Sequence, residues 1–203
     1  MNKLFKTKED PDQQNPMEQS EYCYYQSFGR ALVGFAKAIE LRQGRFYDVT
    51  AQDILEYADI DKAEFDFLFG NPLRLIGKIE EELHKIFADA DTMLAGMEAD
   101  LMLESIFQRL KNNSPMLTVL RLTNNHVIWR EVLKNTVLRL SVGWPEAGSE
   151  AWEFMYHCFC CYFALLLEKW ETADYSEAYI DVCVKTVTAW LQNRKNTGSE
   201  YSR

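Results

Sequence analysis

The densest group of chemically able side chains in this sequence is His157-Cys158-Phe159-Cys160-Cys161. On a helix, Cys158 and Cys161 share a face at three-residue spacing, and His157 joins them one turn before Cys161. Thiolate and imidazole are the ligands that hold zinc, but a closed tetrahedral site needs a fourth. The other candidates, His84, His126, Cys23 and Cys183, are scattered along the chain. Cysteine also packs as a small hydrophobe. The segment therefore reads as core, and neither a metal nor any other cofactor is expected. Five cysteines are an odd number with three crowded together, which reads as reduced thiols in a cytoplasmic protein rather than a secreted disulfide framework.

A second constellation is aromatic. Trp129, Trp144, Trp152, Phe154, Tyr156, Phe159, Tyr162, Phe163 and Trp170 all fall in the carboxy-terminal half. They form either a packed core or the wall of an apolar cavity for a small-molecule effector. In the second reading the lining is Met97, Arg121, His126, Trp129, Arg130, Trp152, Tyr156 and His157, with the charged and imidazole groups as polar handles. Enzyme chemistry finds little support. The chain has no phosphate-cradling glycine loop, nucleophile elbow or recognisable Ser/His/Asp order.

What positions these residues is helix. Only 9 Gly and 5 Pro punctuate 203 residues, too few for many short strands and their turns. Apolar residues at three- and four-residue spacing (Phe28, Ala31, Leu32, Phe35, Ala38, Ile39) mark a helix over Glu21 to Gln43, ended by Gly44. Thr50-Ala-Gln-Asp53 reads as a capping box, Asp61-Lys-Ala-Glu64 as a second start and Asn71-Pro72 as a third. Between them lie two very short helices joined by a tight turn, the helix-turn-helix arrangement. Further helices are expected over residues 91–111, 115–122, 125–142, 148–171 and 176–194. The reading is all-α with about nine helices. It divides into an arm over 1–19, a helix-turn-helix domain over 20–72, a further helical domain over 73–195, and a tail over 196–203. No apolar run reaches the roughly 18 to 20 residues that span a bilayer, so no membrane partner is expected.

Charge bears on the partner. The net charge is −9, whereas a non-specific nucleic-acid binder is normally basic. From Gln52 to Asp66 six acids (Asp53, Glu56, Asp59, Asp61, Glu64, Asp66) face one base, Lys62, a net of −5.

Within this frame stand Phe35-Ala36, Gly44-Arg45-Phe46, Val49-Thr50, Asp53-Ile54 and Ala58-Asp59-Ile60. They are followed by Phe65, Phe69-Gly70-Asn71 and Leu75. Over Phe28 to Ile79 this segment resembles the amino-terminal domain of TetR-like (TetR/AcrR) transcriptional regulators. The resemblance implies a homodimer that binds double-stranded DNA and answers to a small-molecule effector. It places Thr50, Gln52, Lys62, Ala63, Glu64 and Phe67 near base edges, with Arg45, Arg74 and Lys78 near phosphates. Glu64 or Asp66 would accept from a cytosine amino group. It also implies that the last two helices pair with their copies through Tyr162, Leu166, Ile180, Cys183, Val187, Trp190 and Leu191. Packing within one chain is the alternative for that stripe. The sequence departs from the family where phosphate-gripping residues usually stand, holding Asp66, Leu68 and Pro72 there. The alternative function is thus a helical dimer of this fold that has lost duplex recognition and binds a protein or small molecule.

Overall fold

The scarcity of Gly and Pro is realised as ten α-helices, with no strand among the described residues. The structure is a computed structural model and describes residues 16–93, 98–124, 127–141 and 143–192. In chain order the helices are α1 (Pro16–Leu41), α2 (Ala51–Tyr57), α3 (Lys62–Leu68), α4 (Pro72–Met93) and α5 (Ala99–Asn112). They continue with α6 (Ser114–Leu122), α7 (Val127–Val132), α8 (Lys134–Leu140), α9 (Glu150–Thr172) and α10 (Glu177–Gln192). A single 3-10 turn, Phe46–Asp48, links α1 to α2.

The local start signals act as their chemistry requires. Thr50 Oγ1 accepts from the Asp53 N–H at 3.2 Å while Asp53 Oδ2 accepts from the Thr50 N–H at 2.8 Å, a reciprocal capping box. Asp61 Oδ1 accepts from the Glu64 N–H at 2.8 Å. Asn71 Oδ1 does the same for Arg74 at 3.0 Å. At the far end of α3, Gly70 takes a positive φ of 71° and its N–H reaches the Phe65 carbonyl at 3.0 Å. That left-handed cap suits glycine, which lacks the Cβ that resists it.

Three boundaries differ from expectation. α1 is already helical at Pro16, inside the stretch read as an arm. Residues 1–15, and the tail over 196–203, lie outside the described residues. The helix expected over 125–142 divides at Leu133, though hydrogen bonds from Leu133 to Trp129 and from Val137 to Leu133 bridge the division. The helix expected from Asp91 starts at Ala99, its first three residues being the end of α4.

One apolar core runs from Phe28 of α1 to Leu191 of α10. α1 packs on both α2 and α6. α5 lies against α4 and α10, and α9 against α6, α7 and α10. No described helix is long and apolar enough to cross a membrane.

Candidate nucleic-acid interface

α3 is held by its apolar side. Phe65 is fully buried, Phe69 is 1% exposed, and their rings meet edge to face at 5.5 Å. Phe69 also contacts Phe28 of α1 at 6.0 Å. Burial of rings of this size stabilises by about 2–3 kcal/mol each, enough to fix the position of a seven-residue helix that is marginal alone. The α1–α2 contact is set by Gly34. A Cβ there would lie 2.6 Å from the Ile54 carbonyl and 2.6 Å from the Ala58 Cβ.

The outer side of α3 presents Lys62, Ala63, Asp66 and Phe67, all exposed. Phe67 is 86% exposed, an aromatic ring held in water by an anchored helix. Gln52 is exposed on α2. Thr50 is exposed, but its hydroxyl and N–H are engaged in the capping box.

The acids that dominate the sequence count mostly have structural tasks. Asp53 caps α2 and takes the Arg42 guanidinium at 2.7 Å. The Thr50 N–H, then the Arg42 and Thr50 side-chain bonds, hold its carboxyl down at about 2. Asp61 caps α3. Asp59 lies 3.9 Å from Arg30 and Asp66 pairs with Lys62. Glu64 is turned back to α1, where the buried Ser27 hydroxyl donates to its Oε1. Its carboxylate is thus tied to the scaffold in this structure. The −5 stretch is therefore not a uniformly repulsive face.

The bases are likewise paired. Lys62 meets Asp66, Arg45 meets Asp48 at 3.6 Å, and Lys78 meets Glu81 at 2.6 Å. Exposed pairs of this kind contribute about 0–1 kcal/mol each, so phosphates can take these cations at small cost. Arg74 stands at the start of α4, its guanidinium curled toward Gly70. The segment thus carries a presented helix flanked by a few cations, each held by an exposed acid.

The expected effector pocket does not form as drawn. Trp129, Trp152 and Tyr156 are buried core residues. Trp152 stacks on Tyr156 at 4.8 Å, and the Tyr156 hydroxyl donates to the Arg130 carbonyl. The Arg130 side chain turns out to Glu153 at 3.9 Å, and His157 is exposed beside Cys161 at 3.8 Å. Arg121 pairs with Glu171. Among the described residues, Arg121 and Trp129 border a common cavity of about 30 Å³, room for a single water. Large aromatic rings have filled the space instead of lining it. Met97 and His126 lie outside the described residues.

The stripe assigned to a second copy is corrected in the same way. Cys183 and Val187 are fully buried within one chain, Ile180 and Leu191 are 3% exposed, and Leu166 is 8% exposed. α10 seats this face against α5 and α9 of its own chain, so these five residues cannot serve as an outer interface. Tyr162 and Trp190 remain half-buried, their rings stacked 6.1 Å apart. Leu165 at 59% and Val182 at 44% exposure occupy the outer faces of α9 and α10.

Among the cysteines, Cys160 and Cys183 are buried, and burial pushes their thiols up to about 11 and about 12. Among the described residues, no three of the His, Cys, Asp and Glu side chains are placed to hold a metal ion.

No family model, curated protein or solved structure matches the chain.

Proposed function

We propose that this chain is a ligand-responsive, DNA-binding transcriptional regulator of the TetR type, acting in the cytoplasm as a homodimer. The observation that carries the reading is α3. Its inner side is locked by Phe65 and Phe69, and its outer side, with Lys62, Ala63 and Phe67, is presented to solvent after a short turn from α2. A helix so held is what a major groove accepts. Gln52 and the outer face of α3 are the base-edge candidates, and Arg45, Lys62, Arg74 and Lys78 the phosphate set. The effector acts by changing the spacing of the two heads, a coupling of about 1–3 kcal/mol. Selection of duplex DNA from a random pool by the purified protein, at low and physiological salt, tests it.

A second reading is favoured by one observation. Lys62 is paired with Asp66 beside an aromatic ring 86% exposed, a surface suited to a protein partner. On this reading the head has kept its fold and lost duplex recognition. Salt separates the two. A DNA complex weakens with added salt according to its phosphate contacts, and a head without DNA affinity has nothing to lose.

A further inference from the structure

A large opening lies between α1, α4 and the α5–α6 corner. It is a cleft of about 580 Å³, within the size range of small-molecule sites. α1 supplies one wall with Tyr25, Phe28 and Leu32; α4 supplies Glu82, Lys85 and Ile86; and Arg109, Asn112, Asn113 and Pro115 close it from the α5–α6 corner. Glu82 is the deepest charge in the cleft, only 5% exposed although it is a carboxylate. It accepts from the Tyr25 hydroxyl at 3.2 Å and from the Lys85 ammonium at 2.6 Å.

Two features set the cleft apart from an imperfectly filled corner. Gly29 borders it in mid-helix, where glycine costs about 1 kcal/mol relative to alanine. No close approach requires that glycine, since a Cβ there would meet nothing within 4 Å. The position is open space facing the cleft. The charges are also unequal in mobility. The Glu82 side chain is 7% exposed and fixed, whereas that of its partner Lys85 is 58% exposed and free to swing into water. The other cation, Arg109, lies against Asp89 at 2.9 Å, so the rim is balanced. What remains at depth is a carboxylate among aromatic rings. Tyr24 stacks on Phe28 at 5.9 Å, and burial, followed by the charge of Glu82, pushes its hydroxyl up to about 12.

We propose that this cleft binds an organic amine with an apolar body, its ammonium replacing Lys85 on Glu82 and its body lying along Tyr25, Phe28 and Gly29. The ammonium gains a charge-assisted hydrogen bond and the faces of aromatic rings. An anion of the same shape meets the like charge of the little-exposed Glu82 carboxylate. The site also gives the effector of the regulator reading a location between α1 and α4, although its test involves no DNA and stands apart from that reading.

The test is calorimetric binding of three matched probes, 4-phenylbutylamine, 4-phenylbutanol and 4-phenylbutyrate, to the full chain. The amine is expected to bind, with the butyrate at least about tenfold weaker, equivalent to 1.4 kcal/mol. Glu82→Gln keeps the shape and the Tyr25 contact and is expected to weaken the amine at least tenfold. Gly29→Leu, which fills the cleft without touching the charge, is expected to weaken amine and alcohol alike. Circular dichroism melts verify that both variants are folded. Equal or tighter binding of the butyrate overturns the proposal. So does no amine binding at millimolar concentration, or full amine affinity in folded Glu82→Gln or Gly29→Leu.

Discussion

The buried Ser27 hydroxyl of α1 donates to the Glu64 carboxylate of α3, joining residues 37 positions apart. Ser27 is 1% exposed, also lies 3.0 Å from the Cys23 carbonyl and receives Arg30 Nη2 at 3.3 Å. The contact fixes the rotation of the presented helix relative to the rest of the head. Removing one partner of a buried polar contact costs about 1–3 kcal/mol. Ser27→Ala is expected to lower stability by that amount in urea unfolding. Glu64→Gln, which retains a carbonyl acceptor, is expected to leave any selected DNA sequence unchanged. A changed preference at one base pair in Glu64→Gln would place Glu64 in the groove after all.

Phe67 makes the opposite prediction. At 86% exposure it contributes little to folding. Phe67→Ala should shift stability by no more than about 0.5 kcal/mol. Binding of DNA or of a protein partner through α3 should weaken by at least about tenfold. Unchanged binding would show that α3 is not the contact surface.

Gly34 tests how the head is built. Alanine is the better helix former by about 1 kcal/mol. Its Cβ, however, would sit 2.6 Å from the Ile54 carbonyl, and backbone there cannot yield cheaply. Overpacking of this kind costs about 1–3 kcal/mol, so Gly34→Ala should lower the urea midpoint. Gly29→Ala, with no neighbour within 4 Å, should raise it.

Asp53 gives a pH dependence. Its carboxyl is held at about 2 by the Thr50 N–H, Arg42 and the Thr50 hydroxyl, against 3.8 ordinarily. A depressed folded-state value means that the stabilisation is complete above the unfolded value and fades as pH falls toward the folded one. The capping contribution, about 1 kcal/mol, should therefore be present at pH 7 and decline between about pH 4 and pH 2. Asp53→Asn should narrow its stability deficit against the parent chain over that interval, read by urea unfolding at stepped pH. A deficit constant down to pH 2 would contradict the capping account.

The helix starts were legible because each is written in a few adjacent residues. Thr50 with Asp53, Asp61 with Glu64 and Asn71 with Pro72 all form the local bonds their types suggest. What was not legible depends on distant packing. The stripe Ile180, Cys183, Val187 and Leu191 looks the same whether it meets a second copy or, as here, α5 and α9 of its own chain. The acids between Asp53 and Asp66 gave a correct sum but a misleading face, since Ser27, Arg30 and Arg42 lie far back in α1 or just after it. Aromatic richness did not distinguish a cavity from a core, and here the rings fill the space. The cleft does leave one signal in the sequence. Glu82 sits on the apolar stripe of Ile79, Leu83 and Ile86, where a buried carboxylate needs a partner or a ligand.

The most direct test of the regulator reading is selection of duplex DNA by the apo protein, with the bound pool compared between low and physiological salt. The reading predicts one enriched sequence, bound at physiological salt and lost in Phe67→Ala. Its salt dependence should be shallow, because few cations are available and each must leave an acid. An absence of enrichment at low salt, with the fold intact by circular dichroism, would contradict DNA recognition by the apo protein and leave α3 as a surface for a protein partner.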